Sequence, residues 1–283
     1  MRIRFTKMHG AGNDFVVIDA TGDAFAPSAA LLRHLSDRHY GVGCDQILVL
    51  DPPTSAELDF NYRIYNADGS ESGQCGNGAR CLARFVREHQ LSDRQRLRVR
   101  TQTTDLWLEQ LDDGQVRVDM GVPVFDPARI PLQAPQRMQT YSFESTQGHV
   151  EFGAVSMGNP HAVIRVDDVE NAEVQRFGQA FASSPLFPEG VNVGFAEFLS
   201  ENALKLRVFE RGVGETLACG SGVCAAVAIG RQWGLLNHEV TVQARGGQLC
   251  VEWAGDGESI HLRGPAQTVF TGELEWEETK DGG

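Results

Sequence analysis

No stretch of the 283-residue sequence approaches the roughly 20 consecutive apolar residues that span a bilayer, so a membrane helix is not expected. The start, Met1 to Met8, alternates charge and hydrophobe like a strand. It lacks the apolar segment of a signal peptide, which points to the cytoplasm. Basic residues are scarce, 25 Lys and Arg against 38 Asp and Glu, for a formal net charge of −13. That balance argues against nucleic acid or an anionic membrane as partner, because phosphate binding needs a basic face. A small anion remains possible, since a few local donors can hold one. The six cysteines, at 44, 75, 81, 219, 224 and 250, form no C-x-x-C pair, and no His pair stands beside them at ligand spacing. A thiol-redox motif and a zinc site are both disfavoured, and the cysteines read as free thiols. With 41% hydrophobic and 22% charged residues the chain reads as globular, long enough for one large domain or two ordinary ones.

What is present is a duplication. Tyr62–Asn66 through Cys75-Gly76-Asn77-Gly78 aligns without gaps on Leu206–Glu210 through Cys219-Gly220-Ser221-Gly222, at an offset of 219 − 75 = 144. Arg63/Arg207, Glu71/Glu215, Cys75/Cys219, Gly76/Gly220 and Gly78/Gly222 coincide. Weaker echoes lie upstream. Gly12-Asn13 before an apolar run matches Gly158-Asn159 (159 − 13 = 146), and Gln46 matches Asn192 at the same offset. Each half therefore predicts alternating strands, such as 58–65 and 204–209, then a Gly-rich turn opening a helix over 78–86 or 222–229. The second helix is apolar on nearly every side and should be buried all round, as inside a wrapped sheet. The expected fold is α/β (α+β), two pseudo-symmetric halves, each a mostly antiparallel sheet around a central helix. The boundaries are 1–120 plus 265–283 and 121–264, with the strand around Val269-Phe270 returning to the first half. Lys280–Gly283 reads as a frayed tail.

Inverting a carbon beside a carboxylate needs a base on one face and an acid on the other. A duplicated protein can supply one from each half. Cys75 and Cys219 each stand before a helix N-terminus, where free N–H groups and the end dipole favour a thiolate. The amides at Gly76-Asn77 and Gly220-Ser221 can hold a carboxylate and stabilise developing charge. Cys44, Cys81, Cys224 and Cys250 read as packed core residues. Asn13 and Asn159 also read as turn residues, His161 as a structural histidine, and Glu210-Arg211 as an exposed ion pair.

The segments Lys7–Phe15, Asn66–Ser70 with Gln74–Arg80, Met157–His161, and Glu210–Thr216 with Ala218–Gly222 closely resemble the diaminopimelate epimerase family, and the match runs essentially end to end. The resemblance implies interconversion of LL- and meso-diaminopimelate, in lysine and peptidoglycan precursor synthesis, by an isomerase with no pyridoxal phosphate, other cofactor or metal. One cysteine, Cys75 or Cys219, would act as thiolate and the other as thiol, supported by His161 and Glu210. The resemblance assigns the reacting carboxylate to Gly76, Asn77, Gly220 and Ser221. It assigns the distal end of the substrate to Asn66, Asn159, Asn192 and Arg211, with Asn13 and Gln46 in the pocket. It also implies a homodimer. One departure stands out: members often carry a Thr-x-x-Gly turn where this chain has Thr101–Asp105 without the glycine. A racemase for another amino acid, a thiol-redox protein and a non-catalytic binding module are the other readings.

Overall fold

The computed structural model describes residues 1–73, 75–146 and 148–277; the tail expected at Lys280–Gly283 lies outside them. In chain order the elements are β1 (Arg2–Gly10), β2 (Asn13–Asp19), α1 (Ala29–Ser36), β3 (Gln46–Asp51), β4 (Phe60–Asn66), β5 (Glu71–Ser72), α2 (Gly76–Glu88), β6 (Arg96–Arg100), β7 (Asp105–Gln110) and β8 (Val116–Asp119). A 3-10 turn at Pro127–Arg129 follows, then β9 (Tyr141–Ser145), β10 (Gly148–Ser156), β11 (Pro160–Arg165), α3 (Val174–Ala182), β12 (Asn192–Ser200), β13 (Ala203–Glu210), β14 (Gly214–Thr216) and α4 (Gly220–Gln232). The chain ends through β15 (Glu239–Ala244), β16 (Gly247–Trp253), β17 (Ile260–Gly264) and β18 (Gln267–Glu275). These elements form two compact units, Met1–Val118 with the chain from Pro265 onward, and Asp119–Gly264.

The register inside each unit shows the repeat more sharply than the sequence does. In the first unit Phe15 pairs with Gln46 across parallel β2 and β3; in the second His161 pairs with Asn192 across parallel β11 and β12, 146 residues on. Antiparallel Ile64↔Ser72 recurs as Val208↔Thr216, and Arg96↔Glu109 recurs as Glu239↔Glu252. The slot filled in the second unit by β9, beside β10, is filled in the first by β18, which pairs with β1 from Arg2↔Glu275 to His9↔Gln267.

The central helices pack as their sequences dictate. In α4 every residue from Gly222 to Gly230 is buried, and the helix touches β10, β11, β12, β13, β15, β16 and β17. Small residues let strands come close. A Cβ on Gly153 of β10 would lie 2.4 Å from Ile229 Cγ2, so glycine is required at that crossing. Helix α2 is more amphipathic. It buries Gly76 to Ala83, Phe85 and Val86, and leaves Arg87 and Glu88 outside. Both helices start two residues earlier than the glycines suggest, because each cysteine is itself the N-cap.

Two helices were not anticipated. Helix α1 lays Leu31, Leu32 and Leu35 on Val16, Ile18, Ile47 and Val49, and α3 lays Val174 and Phe181 beside Phe152 and Phe195. Each sheet is thereby covered on both faces. That is why β2 and β3 read as continuous apolar runs instead of alternating ones. The turn after β6 closes without its glycine. Thr101 N–H donates to Thr104 O at 2.8 Å, Thr101 Oγ1 accepts from Thr103 and Thr104 N–H, and none of the four residues has a positive φ. A threonine hydroxyl does the work of the missing flexibility.

Candidate active site

In the first unit the site grows from a tight turn. Ala11 and Gly12, with φ of 52° and 81°, reverse the chain between β1 and β2 and set Asn13 opposite Gly10. Asn13 Nδ2 donates to Asp45 Oδ2 at 2.9 Å, while its Oδ1 accepts from Asn77 Nδ2 at 3.3 Å and from the Cys75 thiol at 3.8 Å. Cys75, half-buried, caps α2 in an extended conformation, and its Sγ accepts from the Gly78 N–H at 3.3 Å. A sulfur in that position meets the positive end of the helix. Gln46 and Asn66 face each other across β3 and β4, joined by Gln46 Nε2 donating to Asn66 Oδ1 at 2.9 Å. Asn66 Nδ2 donates in turn to Ser70 Oγ at 3.0 Å. Gln74 lies outside the described residues.

In the second unit the corresponding cap is Cys219, buried beside Glu210. Burial pushes its thiol well above the usual range, and the Glu210 charge pushes it further; the Ser221 hydroxyl, 3.5 Å from Sγ, and the Gly222 N–H pull weakly the other way. Cys219 therefore sits as a thiol with a carboxylate beside it. Glu210 is fixed by the β13–β14 hairpin, where Glu210 pairs with Gly214 and Thr216 Oγ1 donates to Glu210 Oε1 at 2.5 Å. Thr216 is a contact that sequence reasoning missed, although the Gly212-Val213-Gly214 turn signals the hairpin that delivers it.

His161 is buried, and its Nε2 lies 3.0 Å from Asn159 Oδ1. A carbonyl oxygen can only accept, so the proton sits on Nε2 and Nδ1 keeps the lone pair. Burial, reinforced by the Arg211 charge, pushes His161 down to about 3 from 6.5. Between those values the unfolded chain binds a proton that the folded chain refuses, so this histidine makes stability fall as pH drops. From pH 6.5 to 5 the wild type should lose up to about 2 kcal/mol more than His161→Gln, measured by urea unfolding at the two pH values. Equal losses would mean that the buried ring is not held neutral. Asn192 ties the strands together: its Nδ2 donates to Pro160 O at 3.1 Å and its Oδ1 accepts from Arg211 N–H at 3.0 Å. The Arg211 side chain is exposed, with its guanidinium on Glu189 O at 2.6 Å. Among the described residues Glu210 and Arg211 do not pair with each other; each has a different partner.

The matched arginines of the repeat serve both units alike, though with different acids. Arg207 makes a two-point contact with Glu215, at 2.7 and 3.0 Å, whereas Arg63 makes its contact with Asp51 and not with Glu71.

Comparison with known proteins decides the lineage. A family model described as diaminopimelate epimerase matches residues 5–125 and 153–269. The chain belongs to the diaminopimelate epimerase family. It is 51% identical over 276 residues to the diaminopimelate epimerase of Alkalilimnicola ehrlichii, covering 97% of this chain and 99% of that one. It is 50% identical over 275 residues to that of Chromobacterium violaceum, covering 97% and 100%. Among solved structures, a hydroxyproline epimerase from Agrobacterium vitis superposes with a TM-score of 0.69 at 16% identity, covering 96% and 92%. A probable proline racemase from Agrobacterium radiobacter gives 0.73 at 15%, covering 99% and 94%. These last two share the fold of the diaminopimelate epimerase family at low identity and speak to architecture alone. No helix among the described residues is long and apolar enough to cross a membrane, and none of their His, Cys, Asp and Glu side chains form a metal-binding group.

Proposed function

We propose that this chain interconverts LL- and meso-diaminopimelate by proton exchange at the α-carbon, with Cys75 and Cys219 as the exchanging groups and without a cofactor or metal. The observation that carries the reading is that a duplicated frame ends its equivalent strands in equivalent helices, each capped by a cysteine. In the reaction one thiolate takes the α-proton. The C–H electron pair moves toward the substrate carboxylate, and the opposite thiol delivers its proton to the other face, so that a thiol and a thiolate exchange roles. The negative charge that develops on the carboxylate would meet the amides of Gly76-Asn77 and Gly220-Ser221. The carboxylate beside Cys219 suits it to give up or regain a proton through Glu210, and the neutral His161 ring has Nδ1 available as an acceptor. Asn13, Gln46, Asn66, Asn159, Asn192 and Arg211 would bind the remainder of the substrate. A biosynthetic role in the cytoplasm as a homodimer completes the proposal, and light scattering tests the last part.

The test is deuterium uptake at the α-carbon in D2O, comparing both diaminopimelate isomers with amino acids that carry one carboxylate. Uptake confined to diaminopimelate supports the reading. Equal or faster uptake into a mono-carboxylate amino acid would replace it with another racemase. Arg211→Lys checks the distal end: a planar two-point grip on a carboxylate is lost, so kcat/KM should fall about tenfold or more while the Tm holds. Unchanged kcat/KM would remove Arg211 from the site.

A further inference from the structure

Two acids and two cations interlock behind Asn13, and the mechanism makes no use of them. Asp14 on β2 accepts from Arg38 at both carboxylate oxygens, 2.9 and 2.8 Å, and from Lys7 Nζ at 2.6 Å. Lys7 Nζ also donates to Gly43 O. Asp45, just before β3, accepts from Arg38 at 2.7 Å through Oδ1; its Oδ2 takes Asp14 N–H at 3.1 Å and Asn13 Nδ2 at 2.9 Å. Its own N–H returns to Asp14 Oδ1 at 2.9 Å. Although burial opposes ionisation, the bonds from Arg38 and Lys7 hold Asp14 well below the usual carboxylate range, so Asp14 stays ionised across neutral pH.

We infer that Asp45, clamped by Arg38 and Asp14, is a positioning residue that keeps the Asn13 carbonyl oxygen, and not its NH2, turned toward the Cys75 thiol. The carboxylate only accepts, so the Asn13 NH2 must face it. On the other side Asn77 Nδ2 is a donor, so the carbonyl must face that way. The orientation is thus fixed from both ends. The second unit has no such clamp, because the positions 146 residues on from Asp14 and Asp45 are Pro160 and Val191, and Asn159 has His161 on its carbonyl instead. A carbonyl dipole aimed at sulfur accepts S–H and repels S⁻, so the clamp biases Cys75 toward its thiol against the pull of the helix N-terminus; a turned amide would favour the thiolate. Tyr62 on β4 and Cys81 on α2 also sense Cys75, and both are fully buried and untouched by the changes below.

The inference draws its importance from the proposed role of Cys75, but its test reads the thiol itself. Cys75 alkylation by iodoacetamide is followed against pH in the full chain, by mass of the Cys75 peptide. Asp45→Asn should lower the apparent thiol pKa by roughly half to one unit, speeding alkylation at pH 7 about three- to tenfold. In an Asn13→Ala background the same change should alter the rate by less than about twofold, since the dipole it controls is gone. An equal shift with and without Asn13, or none with it, overturns the inference. If Asp45→Asn does not fold, Arg38→Gln at the exposed end of the clamp should move the pKa the same way by less; no movement there is equally fatal. Failure of the catalytic assignment would appear separately, as turnover surviving in Cys75→Ala.

Discussion

Replacing either Cys75 or Cys219 with alanine is expected to abolish epimerisation while leaving the fold in place. Under the proposed mechanism each substitution removes one proton carrier from a reaction that needs one on each face, so the loss should be at least the roughly 10²–10⁴-fold typical of a missing general acid or base. Folding should survive in both cases. Cys75 is a half-buried cap, and its loss costs about 1 kcal/mol on the scale of a lost N-cap. Cys219 is buried, but one sulfur is a small change in a core of this size. Turnover by coupled assay and Tm together decide the matter. A mutant with near wild-type rate sinks the assignment of that cysteine. The two substitutions should also differ in what remains. If Cys75 is the base for one isomer, Cys75→Ala should still exchange solvent deuterium into the other, through Cys219 alone.

Glu210→Gln is expected to separate reactivity from catalysis. The Glu210 charge raises the Cys219 thiol, second only to burial, so its removal should lower that thiol and make Cys219 alkylate faster at a given pH. Turnover should nonetheless fall by about 10²-fold if Glu210 relays the Cys219 proton as proposed, because a neutral amide cannot take it. The Thr216 hydroxyl bond can be kept, since the glutamine carbonyl still accepts it. Both rates falling together would point to a structural role for Glu210. A faster thiol with unchanged turnover would show that the proton goes elsewhere.

Much of this arrangement was legible because it is local and repeated. Cys75 and Cys219 stand in short gapless segments where strand, Gly-rich turn and helix follow one another, and the shared offset made chance an unsatisfactory account of them. The all-apolar face of α4 foretold a helix enclosed by strands. What stayed hidden was either short or distant in sequence. Helix α1 has eight residues and one capping contact, Ser28 Oγ on Leu31 N–H, too little periodicity to stand out. Asp14 belongs to a strand and Arg38 and Asp45 to the two ends of the loop between α1 and β3, and no spacing rule connects them. The partner of Arg63 was hidden for the same reason. Arg63 turns to Asp51 on the neighbouring strand, a choice set by cross-strand register, and register is visible only once β3 and β4 are paired.

The position of β18 has a consequence for the order in which the protein comes into being. Everything in the unit Asp119–Gly264 is contiguous, so it can assemble as soon as that stretch has left the ribosome. The other unit starts emerging first yet is completed last. Its strand β1 waits with one edge open, for a partner whose residues, 267–275, are translated after the whole of the second unit. During that interval β1 exposes unpaired N–H and C=O groups next to the apolar side chains of Ile3 and Phe5, the conditions under which strands pair with the wrong chain. The charged residues Arg2, Arg4 and Lys7 that interrupt β1 are the kind that discourage such pairing, and Glu273 later receives Arg2 and Arg4 when β18 arrives. Nascent chains arrested before residue 267 should therefore present a protease-sensitive first half and a protected second one.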